Sequence, residues 1–162
     1  MLSWGEAVRS ARLPTSQAAD VAATPLHPGR EQGPLLRLDE PLSLWGGVDA
    51  DGNITDPHHP QTGSSLTGAV VLMTSGRGSS SSSSILAEMI RAGTGPAALV
   101  LAEPDGILVV GALVAAELYG RQLPIVVVDP ADHAALPAEG DATVISDEHA
   151  GTVVIRVRDI RP

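Results

Sequence analysis

The sequence contains no cysteine, no lysine and no phenylalanine. Without cysteine the chain can form no disulfide, and it offers no thiolate to an iron–sulfur cluster. Without lysine it cannot contain a phosphate-binding loop of the Walker A type. Aromatic residues make up only 2% of the chain and hydrophobic residues 43%. We therefore expect a core built from the aliphatic side chains of Val, Leu, Ile and Ala.

Positive charge is also scarce, because ten Arg stand against 19 acidic residues and the formal net charge is −9. This balance argues against a nucleic-acid partner and against an anionic membrane surface. No apolar run reaches the roughly 18–20 residues that span a bilayer. The segment from Met1 to Leu13 lacks the basic start and apolar run of a signal peptide. A soluble, cytoplasmic protein is the default expectation.

The length of 162 residues is that of one domain. Residues 1–24 read as a flexible N-terminal tail, because they mix Ala, Ser, Arg and Gln and have Pro14 and Pro25 as breakers. The domain itself is expected to cover residues 25–162.

Strand-like and helix-like segments alternate in the middle of the chain. Continuous apolar runs predict strands at residues 69–73, 97–101 and 124–128. Between them, apolar residues at helical spacing predict helices at 85–91 and 113–119. This β-α-β-α-β order predicts an α/β fold with a small parallel sheet and flanking helices. Strands near Leu35, at 143–145 and at 152–157 are expected to add a barrel-like or antiparallel layer.

Six consecutive serines, Ser79–Ser84, follow Gly76-Arg77-Gly78 between the first of these strands and its helix. Serine runs are often flexible linkers, but a βαβ unit leaves no length for one here. The glycines permit a tight turn, and serines favour helix starts, where free N–H groups need acceptors. The segment therefore predicts a hydroxyl-rimmed helix N-terminus at the carboxyl edge of the sheet. Such a place suits a carboxylate or phosphate and favours ionisation of one serine.

Two other features each allow two interpretations. Trp45-Gly46-Gly47 is either an aromatic anchor packed on the core with glycines turning the chain, or a turn whose backbone, or Ser43, faces a substrate. Arg77 is either a surface arginine or a clamp for an oxyanion.

No metal site is expected from this chain. The segment Asp49–Asn53 resembles the start of a calcium loop, but Gly and Glu are missing at positions six and twelve of such a loop. We interpret it as an Asx turn. His58 and His59 are adjacent, and no third ligand stands near them in the sequence.

These motifs together resemble the small subunit of aconitase X. The resemblance covers roughly Pro28 to Val128 and depends on two stretches. These are Pro41-Leu-Ser-Leu-Trp-Gly-Gly-Val-Asp49 with Gly52-x-Ile54-x-Asp56, and Gly76-Arg-Gly-Ser79 with Ser83, Leu86 and Glu88. The chain departs from the family pattern at Leu44, where Phe is common, and in its unbroken serine run.

The resemblance implies a swivelling β/β/α domain, a large partner subunit that binds an iron–sulfur cluster, and dehydration of a small hydroxy acid. In the implied reaction the cluster iron polarises the leaving hydroxyl, and a serine alkoxide removes a proton next to the carboxylate. The serine directly after the Gly-x-Gly turn is Ser79, which is the expected catalytic residue. The expected substrate-binding residues are Arg77, Gly78, Ser80, Ser83 and Ser43.

Family members divide between cis-3-hydroxy-L-proline dehydratases and mevalonate 5-phosphate dehydratases. The composition, rich in Ala, Gly and Arg, favours the first substrate. The alternatives are a mevalonate 5-phosphate dehydratase small subunit, a non-catalytic anion-binding module and a scaffold subunit. Since the chain has no cysteine, any cluster must belong to the partner. We therefore expect a heterodimer that is active only when both chains are present.

Overall fold

The computed structural model describes residues 18–156 of the chain. This part of the chain contains seven strands and four helices, the first helix being a single distorted turn. In chain order they are β1 (Ala18–His27), β2 (Gly29–Arg37), α1 (Leu44–Gly47), β3 (Val70–Met73), α2 (Ser82–Ala92), β4 (Ala98–Leu101), α3 (Gly106–Tyr119), β5 (Ile125–Val127), α4 (Pro130–Ala135), β6 (Asp141–Ser146) and β7 (Gly151–Arg156). None of the helices within residues 18–156 is long and apolar enough to cross a bilayer.

The strands form a ring of hydrogen-bonded neighbours in the order β1-β5-β4-β3-β2-β6-β7, and β7 pairs with β1. Strands β2, β3, β4 and β5 run parallel to one another. Strands β1, β6 and β7 are antiparallel to their neighbours. The predicted parallel sheet is thus confirmed, and the flanking strands form the expected antiparallel layer.

The central parallel strands β3 and β4 are buried along their whole length, which explains their continuous apolar sequences. In β3, Val70 and Leu72 pack inside the ring with residues such as Val144 of β6. The alternate residues Val71 and Met73 pack with the apolar faces of α2 and α3. The result is three layers, antiparallel strands, parallel strands and helices, as a β/β/α domain requires.

Helix α3 packs closely on the first turn of α2. A Cβ atom at Gly111 would lie 2.7 Å from the Ser83 carbonyl oxygen, so only glycine allows this approach. Helix α3 begins at Gly106, seven residues earlier than the predicted helix 113–119. The apolar pattern did not reveal the first turns because they contain Gly106 and Gly111, and glycine is a poor helix former. In the structure the Asp105 side chain caps the start of the helix.

The N-terminal boundary needs correction. The predicted flexible tail includes residues 18–24, but these residues belong to β1. There Ala18–Ala23 pair with β7, and Thr24 pairs with β5. The Ala-rich sequence has weak strand propensity, and its partners lie near the other end of the chain, so no local signal marked it. The rest of the predicted tail, residues 1–17, lies outside the described residues.

Candidate active site

The turn Gly76–Ser79 leaves β3 at the carboxyl edge of the parallel strands and leads into α2. Gly76 forms a parallel bridge with Leu42, and the Arg77 N–H donates to the Leu42 carbonyl at 3.2 Å. Gly78 has a φ of +97°, which side-chain-bearing residues rarely adopt. The Gly-x-Gly spacing therefore makes the tight turn that the sequence predicted.

Ser79 stands exposed at the entry to α2. Its carbonyl accepts the Ser82 N–H at 3.0 Å, and its Oγ accepts the Ser81 N–H at 3.1 Å. A backbone donor and a nearby helix N-terminus both stabilise negative charge on a serine oxygen. The position thus combines access to solvent with support for an alkoxide.

Asp105 is a site residue that the sequence analysis missed. Its Oδ1 accepts the N–H groups of Ile107 and Leu108 at 3.0 and 3.2 Å, which caps α3. Its Oδ2 accepts the Gly76 N–H at 2.9 Å. One carboxylate therefore ties the turn to the start of α3. The signal was an Asp between β4 and the helical segment, immediately before Gly106, which is the preferred N-cap arrangement.

A cavity of about 40 Å³ lies between this turn and the starts of α2 and α3. Its polar lining comes from the turn, Asp105 and Ser82, and its apolar lining from Leu42, Leu44, Ile107 and Leu108. A water molecule needs roughly 10–15 Å³ of such space. The cavity accommodates a small polar group such as a carboxylate, and a larger substrate would extend out of it.

Ser82, the first residue of α2, lines this cavity and is only 5% exposed. Its Oγ has no hydrogen-bond partner among the described residues. The serine run gives no sign of this burial, which follows from packing against the start of α3.

The guanidinium of Arg77 forms an ion pair with Asp56, with 3.7 Å between Nη2 and Oδ2. The Arg77 side chain is 58% exposed. An exposed pair of this kind contributes only about 0–1 kcal/mol. Arg77 is therefore loosely held beside the cavity and remains available to an anion.

Three predicted substrate-binding residues lie next to the cavity but do not line it: Ser43, Ser80 and Ser83. The Ser43 hydroxyl donates to the Trp45 carbonyl at 3.0 Å, and the Ser83 hydroxyl donates to the Ser80 carbonyl at 2.8 Å. Trp45 is 59% exposed, so the interpretation that it packs on the core is wrong.

The loop before β3 is held by its own side chains. Asp49 Oδ1 accepts the N–H groups of Asp51 and Asn53 at 3.0 and 2.9 Å, which confirms the Asx turn. These bonds, led by that from Asn53, lower the pKa of the Asp49 carboxyl. His59 is buried, and its Nε2 lies 3.1 Å from the Glu40 carbonyl oxygen.

An iron–sulfur cluster does not fit the residues of this chain. The sequence has no cysteine, and thiolates are the usual ligands of such clusters. Within residues 18–156 no group of three or more His, Asp or Glu side chains could hold a metal ion.

A larger cleft of about 520 Å³ lies at the opposite edge of the parallel strands. It is lined by Gly93 after α2 and by Gly120 and Arg121 after α3. These are helix C-termini, whose dipoles disfavour anions. The smaller cavity at the helix N-termini is therefore the better candidate for binding an acid.

The layered ring of strands, with a serine-bearing turn at its carboxyl edge, is the architecture expected of a swivelling β/β/α domain. The aconitase X swivel domain family model matches residues 20–155. The chain belongs to this family, which confirms the resemblance found in the sequence.

This chain is similar to several named dehydratases, and it covers a different share of the length of each. It is 49% identical over 98 residues to cis-3-hydroxy-L-proline dehydratase of Pseudomonas aeruginosa, covering 60% of this chain and 17% of that protein. The dehydratase of the same name from Hypocrea jecorina is 42% identical over 105 residues, covering 64% and 18%. The phosphomevalonate dehydratase small subunit of Methanothermobacter thermautotrophicus is 39% identical over 88 residues, covering 54% and 67%. The chain thus spans less than a fifth of the first two relatives.

Two solved structures share the fold. The holo-form of Thermococcus kodakaraensis aconitase X superposes with a TM-score of 0.72 at 23% identity, covering 83% of this chain and 98% of that chain. The solution structure of a UPF0107 protein gives 0.70 at 27% identity, covering 82% and 97%. The first similarity supports the fold alone.

Proposed function

We propose that this chain is the swivel-domain subunit of a two-chain, cytoplasmic dehydratase of the aconitase X type, with Ser79 as its catalytic base. The observation that carries the proposal is the position of Ser79. It is exposed at the N-terminus of α2 and lines a carboxylate-sized cavity. Family membership adds relatives that are named dehydratases.

In the proposed reaction Ser79 Oγ takes the proton from the carbon next to the substrate carboxylate. The electron pair of that C–H bond becomes the new C=C bond, and the hydroxyl leaves from the neighbouring carbon. The Ser81 N–H that donates to Ser79 Oγ at 3.1 Å supports the charged form of the base before the transfer. Departure of the hydroxyl requires assistance, which we assign to the partner subunit.

The residues that would bind the negatively charged group of the substrate lie on the same side of the domain as Ser79. The N-terminus of α2 favours an anion, and Arg77 is bound only by its loose pair with Asp56. A carboxylate in the cavity would compete well for that guanidinium, because charge-assisted bidentate contacts are stronger than an exposed pair.

We propose cis-3-hydroxy-L-proline as the substrate. The relatives that carry that name are 49% and 42% identical over 98 and 105 residues, while the small subunits of Methanothermobacter thermautotrophicus and Methanopyrus kandleri are 39% and 45% identical over the shorter spans of 88 and 78 residues. The charge of the site supports the same choice, since Arg77 is the only basic residue among those lining the cavity. A phosphate dianion calls for several donors, whereas the ring ammonium of hydroxyproline suits the nearby Asp56. Mevalonate 5-phosphate remains the second candidate, because this chain covers 67% of the Methanothermobacter small subunit.

We further propose that an iron–sulfur cluster is bound by the partner subunit, since this chain has no cysteine. Helix α3 offers a surface for that subunit. Its exposed face carries Val110, Leu113, Val114 and Leu118, of which Leu118 is 68% exposed. Ile107, at the start of the same helix, lines the cavity. Contiguous exposed apolar side chains mark interaction sites in soluble proteins, and here they run up to the candidate active site.

The test is reconstitution of the chain with a cysteine-containing aconitase X large subunit, followed by assays with both substrates. We expect the isolated chain to be inactive and the pair to dehydrate cis-3-hydroxy-L-proline. Ser79→Ala should lower kcat by roughly 100- to 10,000-fold, the usual range for loss of a general base. Ser84→Ala, an exposed serine of the same run, serves as the matched control and should retain activity.

Circular dichroism and co-purification check that Ser79→Ala leaves folding and partner binding intact. Near-normal kcat in Ser79→Ala would place the base elsewhere. Dehydration by the isolated chain would contradict the two-subunit proposal. Binding of a carboxylate without turnover by the pair would favour the anion-binding module.

A further inference from the structure

Ser82 presents an unexplained buried hydroxyl. Its side chain is 5% exposed, and its Oγ has no hydrogen-bond partner among the described residues. Buried hydroxyl groups in folded proteins are nearly always hydrogen-bonded, because an unpaired one costs stability. An unpaired hydroxyl on a residue that lines a cavity is therefore a candidate to bind an incoming group.

Two polar side chains near Ser82, those of Asp105 and Ser83, are already engaged. Both oxygens of Asp105 accept backbone N–H groups. The hydroxyl of Ser83 donates to the Ser80 carbonyl. The remaining lining near Ser82 includes Leu42 and Leu108, which offer no acceptor from their side chains. Ser82 thus lines the cavity with a hydroxyl for which the described residues provide no partner.

The position of Ser82 indicates what kind of group that is. The Ser82 N–H donates to the Ser79 carbonyl at 3.0 Å, so the two residues are one turn apart. Residues three apart at a helix start lie on the same face. Helix α2 has eleven residues, and its N-terminus favours negative charge. A carboxylate oxygen in the cavity would accept from Ser82 and lie close to Ser79.

We propose that the Ser82 hydroxyl donates a hydrogen bond to a carboxylate oxygen of the hydroxy-acid substrate and so places the adjacent carbon against Ser79. The assignment rests on the proposed function for its substrate. In the free protein the hydroxyl is unsatisfied, and the bound carboxylate satisfies it. The Ser82 hydroxyl therefore lowers the stability of the free protein and raises its affinity for the substrate.

Ser82→Ala tests the assignment, with Ser146→Ala as its matched control. Ser146 is 4% exposed and its Oγ also lacks a partner among the described residues, but it lies on β6 and does not line the cavity. Both variants should melt at or above the wild-type temperature, since each loses an unsatisfied buried hydroxyl. In the reconstituted pair, Ser82→Ala should raise KM about 10- to 100-fold, the worth of a hydrogen bond to a charged group. It should change kcat less, and Ser146→Ala should change neither.

A binding measurement separates this proposal from the proposed function. The full chain is titrated with L-proline and with L-prolinamide, which lacks the carboxylate, while the backbone amides of residues 76–83 are followed by NMR. L-proline should shift these amides in the wild type and in Ser146→Ala but not in Ser82→Ala. L-prolinamide should shift them in none of the three.

The outcomes are distinct. Shifts that depend on Ser82, together with an inactive pair, would support the carboxylate site and reject the dehydratase. An active pair in which Ser82→Ala keeps wild-type KM would overturn the Ser82 assignment alone. Equal shifts with L-prolinamide, or no response in the wild type, would also overturn the Ser82 assignment. The same holds if Ser82→Ala melts well below Ser146→Ala.

Discussion

Replacing Gly78 by alanine tests the turn that presents Ser79. Gly78 has a φ of +97°, and an added Cβ would lie 2.9 Å from Ser43 Oγ and 3.5 Å from Ser43 Cβ. The substitution therefore has two separate costs. One is backbone strain, because an alanine must adopt a left-handed conformation. The other is steric, because the new methyl group meets the Ser43 hydroxyl.

The two costs can be estimated separately. The left-handed conformation costs about 1–2 kcal/mol, and the close contact costs about 1 kcal/mol, the low end for overpacking. Gly78→Ala should therefore lower the free energy of unfolding by about 2–3 kcal/mol. For a chain of this size that corresponds to a fall of roughly 4–12 °C in Tm.

A double-mutant cycle with Ser43→Ala separates them. Without the Ser43 hydroxyl, the nearest atom of residue 43 is its Cβ at 3.5 Å, an ordinary contact. Gly78→Ala should then cost only the strain, which leaves a coupling of about 1 kcal/mol. The cycle also subtracts the hydrogen bond from Ser43 to Trp45, which is lost in both Ser43 variants.

Urea unfolding of the four chains, followed by circular dichroism, provides the measurement. Wild-type stability of Gly78→Ala would show that the turn relaxes to a negative φ, and the position deduced for Ser79 would then be wrong. An equal cost in both backgrounds would show that the Ser43 contact is absent.

Three further predictions concern other parts of the fold. Asp105→Ala should lower the free energy of unfolding by about 1–2 kcal/mol through loss of the α3 cap. It should also lower kcat/KM, because the Gly76 N–H loses its bond to the carboxylate. Unchanged kinetics in the reconstituted pair would show that this bond does not position the turn. Burial lowers the pKa of His133 below its ordinary value, so below about pH 6.5 the unfolded chain binds a proton that the folded chain does not. Stability should therefore decrease from pH 7 to pH 5, and His133→Gln should reduce this dependence in thermal melts; equal slopes would exclude His133 as its source. Deletion of residues 1–24 removes most of β1 and should abolish cooperative unfolding in calorimetry, whereas a truncated chain that melts near the wild-type temperature would show that the ring does not need this strand.

The elements that could be predicted from the sequence are those with local signals. Strands β3 and β4 are continuous apolar runs between turns, and α2 shows helical spacing up to Gly93, which adopts a φ of +77°. Helix α4 had a local signal that was missed, since Asp129 caps it and Pro130 is its first residue. Strand β1 had none, because its stability depends on pairing with β7.

In the candidate site, too, the features with local signals could be predicted and those that depend on packing could not. The turn from Gly76 to Ser79 is encoded by adjacent residues, and its form followed from them. Asp105 lies 29 residues from the glycine that it binds, and the two meet only because β3 and β4 are neighbours. The burial of Ser82 depends on the close approach of α3 at Gly111, which is a property of packing and leaves no pattern in the serine run.

The pairing of β1 with β7 brings the two ends of the described domain together. Ala18 and Arg156 are opposite each other in this ladder, and such partners have Cα atoms about 4.5–5.5 Å apart. A polypeptide can thus enter and leave the ring at a single point, the geometry that makes a domain tolerant of insertion into a longer chain. A unit attached in this way can turn about its two connections while every strand keeps both neighbours. This geometry allows the same fold to be a separate subunit or a module within a larger protein.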